Sequence, residues 1–129
     1  MIIRKRKIEM IISALEDVPD PRPELEQYGT PAKLATDILF SALERGDVSG
    51  KKVCELGCGP APFVIGSWIL GATEILGIDI DENSIKVARS NLDMISSPMK
   101  KRPEGDVEFM IHDLEHRISI PLRFDTVFM

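Results

Sequence analysis

An α/β fold, with a parallel sheet wound by helices, is the class this sequence predicts, and three observations predict it. Short apolar runs of strand length alternate with helical periodicities, and brief connectors join them, which is the pattern of strand–helix–strand units. A double-glycine turn, Gly57-Cys58-Gly59, stands between the first such strand and the helix after it. An acid, Asp79, closes the second strand 22 residues beyond Gly57.

The elements follow in order. Ile8, Ile11, Ile12 and Leu15 recur at helical spacing and predict an amphipathic helix over 5–17. Pro19, Pro21 and Pro23 then force an extended connector. Thr30 is the expected N-cap of the next helix, with Pro31 at its first helical position. Leu34, Ala35, Ile38, Leu39, Ala42 and Leu43 form its buried stripe, and Gly46 closes it. Lys51–Leu56 (KKVCEL) is the first strand, and the run PFVIGSWILG after the glycine turn is apolar almost all round, as suits a helix buried against a sheet.

Ile75–Ile80 (ILGIDI) is the second strand, and Asp81-Glu82-Asn83-Ser84 opens a helix with acids in its first turn. Ile85, Ala88, Leu92 and Ile95 continue that helix on one face. A polar loop, SSPMKKRPEG, leads to a third strand in which Val107, Phe109 and Ile111 alternate with other residues. A connector from His112 to Arg123 reaches a final strand, Phe124–Met129 (FDTVFM). The whole reads as one domain over 1–129, with an N-terminal helix and proline-rich connector in 1–23 and a core in 24–129.

Composition narrows the classes. At 129 residues, 43% hydrophobic and 29% charged, the chain suits one ordinary globular domain. It has no apolar run of about 18 residues, and MIIRKRKIEM is followed by no small-residue cleavage site. Two cysteines exclude a disulfide scaffold and suit a reducing cytoplasm. A net charge of −5 argues against coating nucleic acid by bulk electrostatics. The clusters Arg4-Lys5-Arg6-Lys7 and Lys100-Lys101-Arg102 read as solvated surface. Cys54 with Cys58, or His112 with His116, makes no metal site without further ligands; Cys54 reads as core and Cys58 as turn. Trp68, Phe63 and Ile65 likewise read as core.

The chemistry sits in Glu55-Leu56-Gly57-Cys58-Gly59-Pro60-Ala61-Pro62. Gly57 and Gly59 let the chain turn sharply and let a ligand lie against the backbone, while the following helix offers free N–H groups. Asp79, at the carboxyl end of the second strand, is placed to accept hydrogen bonds from both hydroxyls of a ribose. Its competing reading is a helix cap, a role that Asp81 fills more naturally. A dinucleotide fingerprint would place a third glycine at 62, where this chain has Pro62. Glu55 would repel a pyrophosphate but suits a ligand that carries an ammonium and a sulfonium, which describes S-adenosylmethionine. A strand-end acid exposed to water is its other reading.

The segments LEQYGTP, VCELGCG, GIDIDENSI, HDL and FDTVFM, in this order, resemble class I S-adenosylmethionine-dependent methyltransferases of the adenine-N6 type. More narrowly, they resemble the archaeal and eukaryotic family that methylates an adenine of small-subunit ribosomal RNA. The resemblance runs from Glu24 to Met129. It implies a Rossmann-like parallel sheet of about four strands in the order 3-2-1-4, with helices on both faces and the C-terminal strands of the usual seven absent. It also implies cofactor contacts from Gln27 and Thr30 in a covering segment, from Gly57 and Gly59 in the glycine motif, from Asp79 to ribose and from Asp113 to the adenine amine. Where the family has a small glycine, this chain has Ala61 between two prolines, which is tolerable if φ is negative there.

In that family the fourth strand runs into Asn-Pro-Pro-Phe, which holds the target amine and stacks on the flipped base. Met129 stands just before that motif, so no catalytic residue is assigned, and cofactor binding is expected to outlast methyl transfer in this chain alone. The alternatives are a non-catalytic half-domain completed by a partner chain and, less favoured given Pro62 and Glu55, an NAD-binding oxidoreductase. The resemblance further implies ribosomal RNA as substrate and a small zinc-binding activator protein beside Val107–Ile111. Phe124–Met129, an apolar open edge, is expected to pair with a second copy or a partner, or to be masked by the N-terminal helix.

Overall fold

Parallel strands buried on both faces need apolar runs rather than simple alternation, and four such runs form one sheet here. The computed structural model describes residues 3–19, 29–113, 115 and 123–129. Its elements are α1 (Lys5–Ser13), α2 (Ala32–Glu44), β1 (Lys52–Leu56), α3 (Pro62–Ile69), β2 (Glu74–Asp79), α4 (Glu82–Ser96), β3 (Asp106–Ile111) and β4 (Thr126–Phe128). The strand order is β3-β2-β1-β4 and every pairing is parallel, as expected. Val53 faces Ile75 on one side and Thr126 on the other, while Asp79 sits opposite Ile111 at the carboxyl edge.

Side chains on a strand alternate between faces, and each face carries its own apolar cluster. Val53, Ile75, Val107 and Phe109 pack with residues of all four helices, among them Ile8, Leu39, Ile65 and Ile85. Cys54, Leu76 and Ile78 form the second cluster with Leu56, Met110 and Phe124, and no helical residue belongs to it. Helices therefore join one face only among the described residues. Strand runs apolar on both faces reveal that both are buried but not what covers each.

Helix α3 is the hub. Every residue from Pro62 to Trp68 is buried, as its all-round apolar character requires. Gly66 is where α2 approaches, since a Cβ there would collide with the Leu39 side chain. Trp68 donates its indole N–H to the Gly105 carbonyl at 3.0 Å, which satisfies the polar atom of a buried ring. Phe63 stacks on Phe128 of β4 with ring centroids 4.7 Å apart.

Three expectations are adjusted. The opening helix ends at Ser13 rather than 17. The N-cap of α2 is Pro31 rather than Thr30: the Pro31 carbonyl accepts the first helical hydrogen bond, from Ala35, and the cap has no side-chain bond. Helix α1 packs against α2 and α3, so its apolar stripe is spent there. Strand β4 remains at the sheet edge among the described residues, with Val127 half exposed.

Candidate functional site

At the carboxyl ends of β1 and β2 the chain leaves the sheet in two sharp turns, and a cavity of about 720 Å³ opens over them. This is where open parallel sheets bind ligands. Its walls include Thr30, Glu55, Gly57, Gly59, Asp79 and Asp113. Those are six of the seven residues singled out from the sequence; Gln27 lies outside the described residues. Tyr28 and His116 also lie outside them. The lining also includes Ile12 of α1, Leu15, Asp17 and Val18 of the strap after it, and Met129 directly after β4. Periodicity had assigned Ile12 and Leu15 to core packing and offered no signal that they also face a ligand space.

The turn itself is built from left-handed residues. Gly57 has φ +66° and Gly59 φ +50°, conformations that L side chains rarely adopt, and a Cβ at either would point into open space. The glycines thus leave bare backbone facing the cavity. Ala61 is also left-handed, with φ 70° and ψ 46°, and it is fully buried. The sequence reading required a negative φ at this alanine, and the structure corrects it: Ala61 is the N-cap of α3, and Pro62 fixes the first helical φ directly after it.

Asp79 is 7% exposed and already engaged. Its Oδ2 accepts from the Gly59 N–H at 2.9 Å, and its Oδ1 accepts from the Asp81 N–H at 2.9 Å. An ionised carboxylate has about four acceptor positions, so two bonds leave capacity for a ligand. The helix-capping role falls to Asp81, which accepts from the Asn83 N–H at 3.0 Å. Asp113 closes a small turn by accepting from the Glu115 N–H at 3.0 Å.

Glu55 is not a water-exposed strand-end acid. It is 4% exposed, and its Oε1 accepts from the Val64 N–H at 3.0 Å, satisfying an orphan donor at the start of α3. Burial pushes its carboxyl well above the usual carboxylate range; the backbone N–H groups of Val64 and Phe63 oppose this, and the nearby Asp79 adds to it. The same dry environment raises the thiols: Cys54 is pushed to about 11, and Cys58 higher still, by burial with Glu55 adding in both. Both cysteines are free and buried, so they serve as packing rather than as nucleophiles. Among the described residues no cluster of His, Cys, Asp and Glu could hold a metal, and no helix is long and apolar enough to cross a membrane.

Five acids, Asp17, Glu55, Asp79, Asp113 and Glu115, line this cavity over a bare glycine turn, which suits a nucleoside that carries positive charge. Comparison with known proteins points the same way. Residues 27–104 match the family model described as ribosomal protein L11 methyltransferase (PrmA). An uncharacterised protein of Methanocaldococcus jannaschii, MJ0284, is 41% identical over 113 residues, covering 88% of this chain and 47% of the relative. The rRNA N(6)-adenosine-methyltransferase METTL5 of Danio rerio is 28% identical over 128 residues, covering 98% of this chain and 59% of the relative. The crystal structure of a candidate RNA methyltransferase from Pyrococcus horikoshii, PH1948, superposes with a TM-score of 0.80 at 30% identity, over 98% of this chain and 58% of that one. The chain thus spans about half to three-fifths of the length of these relatives.

Proposed function

The chain belongs to the ribosomal protein L11 methyltransferase (PrmA) family of class I S-adenosylmethionine-dependent methyltransferases, and on that premise we propose that its cavity holds S-adenosylmethionine for methylation of an adenine N6 in ribosomal RNA. The observation that carries this reading is the convergence of Asp79 and Glu55 on the bare backbone of Gly57 and Gly59. When bound, the cofactor supplies an electrophilic methyl on a sulfonium; the chain's own residues bind and orient it.

In this reading Asp79 uses its remaining acceptor capacity on the ribose hydroxyls while its bond to Gly59 holds the turn in place. Gly57 and Gly59 allow the backbone to approach the ligand. Asp113 receives the adenine amine. Thr30 covers the ligand together with Gln27. Glu55 has a double role, capping α3 and lying toward the ammonium end of the ligand. Relatedness to METTL5 over nearly the whole chain favours adenine N6 as the acceptor. The small-subunit site and an activator protein docked at the β3 edge extend the same reading, as does pairing through the β4 edge.

Calorimetric titration with S-adenosylmethionine, and with NAD in parallel, tests the cofactor. Saturable heat with the former alone supports the reading; NAD binding without it overturns the reading in favour of an oxidoreductase. Transfer of a labelled methyl group is then followed into ribosomal RNA and into ribosomal protein L11. Label in adenine N6 supports the acceptor assignment, and label in the protein replaces it. Cofactor binding with no transfer to either would support the non-catalytic half-domain.

A further inference from the structure

Asn91 makes three side-chain hydrogen bonds that none of the roles above uses. It lies on α4 and is 1% exposed. Its amide reaches two segments far away in sequence. The Nδ2 group donates to the Pro60 carbonyl at 3.0 Å and to the Glu16 carbonyl at 3.0 Å, while Oδ1 accepts from the Glu16 N–H at 2.9 Å. Both amide hydrogens and the oxygen are therefore engaged, which only a carboxamide of this length can do at one point.

The two segments meet at this amide, and both border the cavity. Pro60 follows Gly59 in the glycine turn, and Glu16 sits between Leu15 and Asp17 in the strap after α1. Gly59, Pro60, Leu15 and Asp17 all line the cavity. Neither Glu16 nor Pro60 lies in a helix or strand, so no ladder hydrogen bonds fix the two segments to each other. We propose that Asn91 is a positioning residue that latches the strap at Glu16 to the glycine turn at Pro60 and so holds the strap in place at the cofactor cavity. The role in ligand binding rests on the S-adenosylmethionine reading given above; the latch itself does not.

Two measurements separate them. In wild-type protein without cofactor, hydrogen exchange should show the Glu16 amide protected although it lies outside any helix or strand. In Asn91→Ala, exchange should rise at residues 15–18 and in the glycine turn while the amides of β1, β2 and α3 keep their protection. S-adenosylmethionine affinity should fall about tenfold, the loss expected when two or three buried hydrogen bonds no longer hold the competent cavity. Asn91→Asp, which keeps Oδ1 to accept from Glu16 but sets an oxygen against the two carbonyls, should also lower the affinity and raise exchange in the glycine turn. A uniform rise in exchange across the sheet would show that Asn91 serves the fold alone and would overturn the proposal. Unchanged exchange at Glu16 in Asn91→Ala would do the same. If wild-type protein bound no S-adenosylmethionine, the cofactor reading would fail while the exchange pattern still decided the latch.

Discussion

Asp79 and Gly59 are joined directly: the Gly59 N–H donates to Asp79 Oδ2 at 2.9 Å, across a gap of 20 residues. The acid at the end of β2 thereby braces the turn at the end of β1 before any ligand arrives. Asp79→Ala should therefore act twice. Titration calorimetry should show S-adenosylmethionine affinity falling by roughly 1–3 kcal/mol through lost charge-assisted hydrogen bonds. Urea unfolding should show a smaller stability loss, because the Gly59 and Asp81 N–H groups lose their acceptor. Lost stability at unchanged affinity would make Asp79 a brace and nothing more.

Glu55 links stability to pH. Its folded pKa lies well above the ordinary 4.5, with burial the leading cause. A carboxyl raised on folding contributes stability that is fully present below its unfolded value and is lost as pH rises through its folded value. The wild-type urea midpoint should accordingly fall with rising pH above 4.5. Glu55→Gln retains an oxygen to accept from Val64 and carries no charge, so its curve should be flatter in that window. Parallel curves for the two proteins would remove Glu55 as the source of the slope.

Ala61 stands in the left-handed region with no exposure to water. Glycine there relieves backbone strain of about 1–2 kcal/mol but gives up a buried methyl and some unfolded-state restriction. These nearly cancel, so Ala61→Gly should stay within about 1 kcal/mol of wild type. Ala61→Val adds a β-branched side chain at positive φ in a filled site and should cost more than about 2 kcal/mol in denaturant melts. A well-tolerated valine would contradict the left-handed assignment.

Ser67 is fully buried in α3, and its Oγ has no hydrogen-bond partner among the described residues. An orphaned buried hydroxyl costs free energy, and serine is a poorer helix former than alanine. Ser67→Ala should raise stability by about 1 kcal/mol, read as a higher melting temperature. A loss instead would reveal that the hydroxyl is satisfied in solution.

How much of this was legible in advance differs by residue. The placement of Asp79 and the glycine pair at one cavity was readable because it depends on local features: a strand end and a tight turn at a suitable separation. Asp81 was readable as a cap for the same reason, since its partner, Asn83, is two residues away. Glu55 was only half readable. Its position beside the glycine turn was plain, but its burial and its bond to Val64 depend on α3 folding back over β1. Asn91 was missed altogether. It falls three residues after Ala88 on the apolar side of α4, which flags a buried polar group, yet its partners lie 31 and 75 residues away.

Local periodicity, proline and glycine placement, and one quoted set of motifs were sufficient for the number and kind of elements, the parallel sheet and the family. The elements depend on side-chain spacings of two to four residues, and the family on motifs spread from Glu24 to Met129; the chain displays both before it folds. The tertiary structure alone decided that Ala61 is left-handed, that Glu55 is dry and caps a helix, that Pro31 rather than Thr30 caps α2, and that Asn91 ties two cavity walls together. The outcomes at Glu55 and Asn91 are settled by which backbone groups remote in sequence come within about 3 Å when the sheet and its helices close, a distance at which a hydrogen bond either forms or does not.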